Sequence, residues 1–405
     1  MAWRNVWRNP RRSVLTMLAI AFACMLLVFM LSFQLGSYEQ MIEFTLRLRT
    51  GHLQVQAKGY ENSRNIRLAV KDPAAVKRIL QDNPSVAAVA MRGNGFALLS
   101  SETRSYGALV TGVQPGPEAA ITNIRAVVRE GEYLSPGDNN TVLLGSLLAD
   151  NLKLSPGGEM VLLGQAKDGS VAASVLTVAG TFSTGADEMD RQFALMPLST
   201  FDRLFAMRGA VHEVVATCKS LDDVDAVQAA VADAVSGLQK DPPLVVWNWR
   251  ELLPGLLQGI KIDFFSGVIF YFILIVVVAF SIMNTFLMAV FERTKEFGVL
   301  MALGVSRWRL SRLLLLESSF LCLVGIAAGV AAGVLLTLYF QNHGIHIASV
   351  EDLLRSYGLP PQLYPRLSKA SLIPGPVLVF AITFLTALYP ALRVRLLKTV
   401  DALRS

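Results

Sequence analysis

Apolar and polar positions alternate along most of this chain, but four stretches carry almost no polar interruption. Residues 13–38, 264–291, 313–340 and 372–392 are apolar runs. The third is broken by a single acid, Glu317. Each is long enough to cross a bilayer as a helix of ~20 residues, so the pattern predicts four transmembrane helices. Beyond the first run Tyr38, Met41, Ile42 and Leu46 fall on one helical stripe, as in a stalk that continues outside the membrane. The period then changes. Residues 51–56 alternate as a strand, Asp72-Pro73 opens a helix through Leu80, and 85–100 reads as paired strands around Arg92-Gly93-Asn94-Gly95. The same grammar returns late, with a strand at 213–218, a helix at 222–238 and a strand at 244–246 before 247–254 leads back to the membrane. Between the two units, an insert of about 106–200 holds short β-type runs at 141–144, 159–163 and 174–182, separated by Gly and Pro turns.

The expected fold is therefore an α-helical membrane protein with four transmembrane helices plus an α+β extracytoplasmic domain. Its segments are an N-terminus at 1–12, helices at 13–38, 264–291, 313–340 and 372–392, an outer domain at 39–262, an inner loop at 292–312, an outer loop at 341–371 and a tail at 393–405. The first apolar run is about twice a signal-peptide core, which favours an uncleaved span. Four spans place both termini on one side. Arg4, Arg8, Arg11 and Arg12, the basic 292–312 loop, and Arg393, Arg395, Lys398 and Arg404 make that side cytoplasmic by the positive-inside rule.

Composition agrees. The 405 residues are 53% hydrophobic and 17% charged, too apolar for an ordinary soluble chain. The net charge of +6 is a topology signal, because the basic residues gather at membrane ends without the aromatics of a nucleic-acid surface. Cys24 and Cys322 lie in spans and Cys218 stands alone outside, so no intramolecular disulfide is expected in the outer domain.

The 292–312 loop opens with Glu292-Arg293-Thr294-Lys295-Glu296-Phe297-Gly298-Val299-Leu300-Met301-Ala302-Leu303-Gly304. Phe297, Leu300, Met301 and Gly304 recur at helical spacing, with charge elsewhere around the helix. Gly304 suits a helix stop and Ser306 a cap for the next helix. A short interfacial helix, running on from the second span, is predicted. Physics alone allows it to rest on headgroups or to dock on a partner.

Asn284, the run Glu292 to Gly298 and Ala302-Leu303-Gly304 resemble the signature of ABC-transporter permeases of the MacB/LolC/LolE/FtsX superfamily. Asn5 with Arg8-Asn9-Pro10-Arg11-Arg12 resembles that family's approach to its first membrane helix. Tyr389-Pro390-Ala391 and Val400-Asp401-Ala402-Leu403-Arg404 resemble its ending, except that Lys398 and Thr399 stand where the family has a proline. The resemblance implies that Glu292, Arg293, Thr294, Lys295, Glu296, Phe297, Gly298, Leu300, Met301, Ala302, Leu303 and Gly304 form a coupling helix docking on a separate cytoplasmic ABC ATPase dimer, which binds the ATP and Mg. It further implies a second permease copy or paralogue and a periplasmic core with a porter-like part and a β-rich insert. Gly51-His52-Leu53-Gln54-Val55, Gly131-Glu132-Tyr133-Leu134 and Trp249 to Pro254 look more like lipoprotein-releasing LolC/LolE subunits than like FtsX. The implied function is mechanotransmission that extracts lipoprotein or another amphiphile from the outer leaflet of a bacterial inner membrane, with a periplasmic carrier or adaptor as a further partner. The alternatives are a MacB-type peptide or antibiotic efflux permease and an FtsX-like regulator of a cell-wall hydrolase that moves no substrate.

Catalytic motifs are missing. Leu154-Ser155-Pro156-Gly157-Gly158-Glu159 reads as a turn, and no phosphate-binding G-x-x-x-x-G-K-[ST] occurs, so ATP hydrolysis falls to the partner and the chain is expected to be neither an enzyme nor a cofactor protein. His343 and His346 lack companion ligands, so no metal site is expected. Asp187 to Arg191 reads as a solvated loop. Glu317, inside a span, reads as a snorkelling acid, an ion pair with Arg312 or Arg293, or a participant in transmission. Gly325, Gly329 and Gly333 form a small-residue packing stripe, within the subunit or across a dimer.

Overall fold

A computed structural model describes residues 10–346 and 362–396. Asn5, Arg8, Asn9 and the Val400 to Arg404 ending lie outside the described residues. The chain divides into a membrane unit and a soluble unit.

Among the described residues the principal helices of the membrane unit are α1 (Pro10–Thr45), α2 (Pro254–Glu292), α3 (Thr294–Ala302), α4 (Arg307–His343) and α5 (Pro374–Leu396), the last preceded by a single helical turn at Lys369–Leu372. Four are long and apolar enough to cross a membrane. The helices α1, α2 and α4 extend well past the apolar runs, because helical hydrogen bonding continues after the lipid-compatible composition ends. The glycine stripe settles the packing of α4. Gly325, Gly329 and Gly333 press on α1: a Cβ at Gly329 would lie 2.4 Å from the Ala21 carbonyl oxygen, and one at Gly325 2.9 Å from the Ile20 Cβ. The stripe is therefore an intrasubunit contact, since only glycine lets the two backbones approach this closely. Buried Ile20, Leu27, Ile275, Ile282, Cys322 and Val379 complete this core.

At the other end a polar cluster ties α1 to α2. Tyr38 donates to Asp263 at 2.5 Å, Gln34 donates to the Tyr38 hydroxyl at 2.8 Å, and Tyr271 donates to Gln34 at 2.9 Å. The sequence places Tyr38 on the stalk stripe but does not single out Gln34, Asp263 or Tyr271, which look like ordinary interfacial polar positions until two helices bring them together.

The soluble unit is built on one ten-stranded sheet. Its strands are β1 (Leu53–Ala57), β2 (Val86–Ser100), β3 (Ser105–Val113), β4 (Val128–Gly131), β5 (Thr141–Gly145), β6 (Glu159–Gln165), β7 (Val171–Phe182), β8 (Phe193–Pro197), β9 (Glu213–Cys218) and β10 (Leu244–Asn248). The order is β10-β1-β9-β2-β3-β8-β5-β7-β4, with β6 joined to β2 and β7. The two largest apolar cores on this sheet are distinct. One joins Leu53, Val55, Val76, Leu80, Val214, Val227 and Val231; the other joins Leu99, Val110, Val142, Leu152, Leu176, Phe201 and Phe205.

Three expectations are corrected here. Arg92-Gly93-Asn94-Gly95 makes no turn; it lies inside the 15-residue strand β2. The glycines serve packing instead, because a Cβ at Gly93 would stand 2.5 Å from the Phe201 ring and one at Gly95 2.9 Å from that of Phe205. The insert does not begin at 106 or end at 200: Ala97 and Leu99 before it and Phe201, Phe205 and Met207 after it share its core, since β2 passes through both halves. Asp187–Gln192 is helical, with Asp190 buried and accepting from the Thr184 amide and hydroxyl at 2.8 Å.

Arg92, 1% exposed, forms a bidentate pair with Glu118 at 2.7 and 2.9 Å. Nearby, His212 is fully buried; its Nδ1 accepts the Asn94 amide at 2.8 Å and its Nε2 lies 3.0 Å from the Ile66 carbonyl oxygen. That geometry requires the neutral ring with the proton on Nε2. Burial pushes its pKa below the ordinary histidine value.

Two outcomes follow. Below the ordinary histidine pKa of ~6.5 the unfolded chain takes up a proton that the folded ring refuses, so stability is lost as pH falls from there toward the depressed folded value. The melting temperature of the purified protein should fall across that window, and His212→Gln should flatten the fall. Gly329→Leu should separate α4 from α1 and cost about 3 kcal/mol, as overpacking does at its upper range; thermal unfolding in detergent should show the loss, whereas Gly255→Ala, where added bulk meets open space, should not.

Candidate functional site

The segment between α2 and α4 begins with a break in the helix. Arg293 has φ −102° and ψ 8°, so α2 stops at Glu292 and α3 restarts at Thr294. The expected continuity of the short helix with the second span is corrected accordingly: the chain turns at Arg293. The reason is the side chain. Its guanidinium Nη1 lies 3.2 and 3.3 Å from the two Glu317 oxygens, and Nε lies 3.6 Å from Glu296. The group also stands over the Phe297 ring at 5.9 Å. Of the two partners expected for Glu317, Arg293 is the one the fold supplies. Both side chains are nearly buried, at 10% and 13% exposure. Beside them Ser13, Thr16, Thr285 and Ser318 line a small cavity of about 30 Å³.

The far end of α3 closes in a Schellman motif. The Val305 amide donates to the Leu300 carbonyl at 3.0 Å and the Gly304 amide to that of Met301 at 3.1 Å. Gly304 takes φ +91°, which glycine adopts without strain. Ser306 stands at the start of α4, yet its side chain makes no cap bond there.

The apolar face differs from the expected one. Phe297 is 3% exposed and packs with Val290, Leu310 and Val394, flanked by Met301, Val305 and Leu314. Gly298 is buried with it. Phe297 and Met301 thus hold the segment against its own bundle and are not free for a partner. The exposed apolar side chains are Val299, Leu300 and Leu303, the last at 76%. Val299 escaped the sequence reading because alternating charge and bulk hid which side of α3 faced inward. Glu292, Lys295, Ala302 and Gly304 are exposed, and Thr294 and Glu296 half-buried. Thr294 bonds back to the Val290 carbonyl at 3.0 Å.

Removing one member of a buried ion pair leaves an uncompensated charge and costs ~3–5 kcal/mol. Glu317→Gln should therefore lower the melting temperature of the purified chain. The double exchange Arg293→Glu with Glu317→Arg should recover at least half the loss, measured by thermal unfolding at two salt concentrations.

Residues 13–234 match the MacB-like periplasmic core domain and residues 268–398 the FtsX-like permease C-terminal model. The chain is 26% identical to the lipoprotein-releasing system transmembrane protein LolC of Xylella fastidiosa, over 97% of this chain and 93% of that protein. It is 25% identical to the macrolide export ATP-binding/permease protein MacB of Agrobacterium fabrum, over 82% of this chain and 51% of that protein. The periplasmic region of MacB from Actinobacillus actinomycetemcomitans overlaps 53% of this chain and 94% of its own length, at 13% identity and a TM-score of 0.39. With its four apolar helices and its α/β domain, the chain belongs to the ABC transporter permeases that combine a MacB-like periplasmic core domain with an FtsX-like permease domain.

Proposed function

We propose that this permease couples ATP hydrolysis by a separate cytoplasmic ATPase dimer to conformational change outside the membrane, extracting a lipidated protein or another amphiphile from the outer leaflet of the inner membrane. The observation that carries this reading is the face of α3. A nine-residue helix between two spans presents Val299, Leu300 and Leu303 outward while Phe297 anchors it inward. A partner that grips the outward face can move the bundle, because the inward face is packed against α2, α4 and α5. ATP drives such a cycle only if the closed ATPase binds one permease conformation better than the other. In this reading Arg293 and Glu317 position the helix, both termini are cytoplasmic, and a second permease copy or paralogue completes the transporter.

The choice of an amphiphilic cargo is supported by the end-to-end likeness to a protein named for lipoprotein release. It is also in keeping with the described spans, whose buried charge is concentrated in the Arg293–Glu317 pair. A polar solute would need a wetter path.

The docking face can be tested separately from the fold. Leu300→Glu with Leu303→Glu should reduce co-purified ATPase and ATP-driven lipoprotein release from proteoliposomes at least tenfold, with an unchanged melting temperature. Phe297→Ala should instead destabilise the protein by about 3 kcal/mol through the cavity it leaves. Full ATPase recovery and full release in the double variant would remove the docking assignment. Efflux of a macrolide with no lipoprotein release would move the cargo to the MacB type.

A further inference from the structure

A cleft of about 510 Å³ opens in the soluble unit beside β1 and β10, within the roughly 300–1,000 Å³ range of small-ligand sites. Its lining includes Gln56, Tyr60, Glu61, Arg64, Glu213 and Trp247. Four polar atoms on these side chains are shielded from solvent and bond to no protein group: Gln56 Oε1, Glu61 Oε2, Glu213 Oε2 and Trp247 Nε1. Buried polar atoms are ordinarily paired, so four in one cleft point to something the cleft receives.

Their chemistry selects the ligand. Three of the four are acceptors, two of them on carboxylates. The other halves of these groups are already used. Glu213 Oε1 accepts from Asn94 at 2.8 Å and lies 3.8 Å from the Arg49 guanidinium, Glu61 Oε1 accepts from Asn62 at 2.8 Å, and the Gln56 amide donates to Gln54 at 2.6 Å. The guanidinium nearest Glu213 Oε2, that of Arg92, stands 3.9 Å away, beyond hydrogen-bond reach, and is already held by Glu118. Glu213 itself is 5% and Gln56 3% exposed, so neither can turn outward to water. Around the lining Glu61, Glu213 and Glu251 outnumber Arg49 and Arg64.

We propose that this cleft binds a ligand bearing a primary ammonium group. Such a group offers three donors and no acceptor, matching the three open acceptors. The rings of Tyr60 and Trp247 on the same lining favour a cation. Arg64, exposed on the lining, accommodates an anionic group next to the ammonium. The inference does not depend on which cargo the permease moves. A lipid headgroup and a peptide amine share this chemistry.

Isothermal titration of the full-length protein in detergent with ethanolamine, and with ethylene glycol as its neutral counterpart, tests it. Ethanolamine should bind at least tenfold more tightly, and Glu213→Gln and Glu61→Gln should each weaken it at least tenfold. Glu102→Gln, on an exposed turn outside the cleft, should leave it unchanged. Glu213 joins a buried network and its replacement can unfold the domain; Glu61 is half-buried at the lining, so its variant keeps the test valid. Tighter binding of glycerophosphoethanolamine than of acetyl-lysine amide would identify a lipid headgroup, and the reverse order a peptide amine. Equal binding of ethanolamine and ethylene glycol, no binding by any of the three ammonium compounds, or an unaffected Glu61→Gln variant would overturn the proposal and leave the cleft to water alone.

Discussion

The end of the membrane unit that carries α3 depends on the pairing of Arg293 with Glu317. An arginine and a glutamate close to the lipid are each costly alone, and the cost falls when they meet and keep their remaining contacts polar. Here they meet at 3.2 Å next to a small cavity whose lining includes the hydroxyls of Ser13, Thr16, Thr285 and Ser318, and Glu296 and the Phe297 ring also stand near the guanidinium. The pairing has a geometric consequence. For Arg293 to reach α4 the chain must leave the axis of α2, so the helix breaks there and a separate short helix begins. Phe297, one turn later, is then directed into the bundle instead of away from it.

Packing of α4 on α1 is governed by a different constraint. In lipid no hydrophobic gain drives helices together, and association rests on close van der Waals contact. The three glycines provide that contact by letting the α4 backbone approach the Met17, Ala21 and Met25 carbonyls, where a Cβ would not fit without displacement. A bundle held by backbone proximity has little slack. Displacement of the α3 segment is accordingly shared by the helices it touches, as the proposed role of α3 requires.

How much of this was legible in the sequence depended on what each signal measures. Hydropathy over long runs reports solvent class, and it identified all four membrane helices. Short runs of β-type residues bounded by turn signals, read at 141–144 and 213–218, match the strands at 141–145 and 213–218 nearly to the residue. Local turn signals failed at Gly93 and Gly95, because glycine marks both a turn and a close approach, and the approaching rings of Phe201 and Phe205 lie more than a hundred residues away in the chain. The α3 face was misjudged for a related reason. Spacing shows that Phe297, Leu300 and Met301 share a side, yet which edge of that side is covered depends on Leu310 and Val394, contributed by α4 and α5. Arg92 and Glu118 were invisible as a pair, since Arg92 read as part of a turn and Glu118 lies on a helix that only the fold brings beside it.

The soluble unit shows why buried polar groups should be sorted by what satisfies them. Arg92 and Glu118 neutralise each other with two hydrogen bonds, and His212 uses both ring nitrogens on backbone groups. These groups are closed: nothing outside the fold is needed to complete them, and they fix the relative placement of β2, β9 and the Pro115–Ile121 helix. Glu213 is adjacent to the same network but only half closed. One of its oxygens is bound by Asn94, while the other, on the lining of the cleft and 3.9 Å from Arg92, accepts no hydrogen bond from the protein. A carboxylate held rigidly by one oxygen and open at the other is preorganised, because the network has already met the cost of orienting it. Stability alone accounts for the closed groups. The open ones, gathered in one cleft with matching acceptor chemistry, call for a different account, and recognition of a donor-rich ligand supplies it.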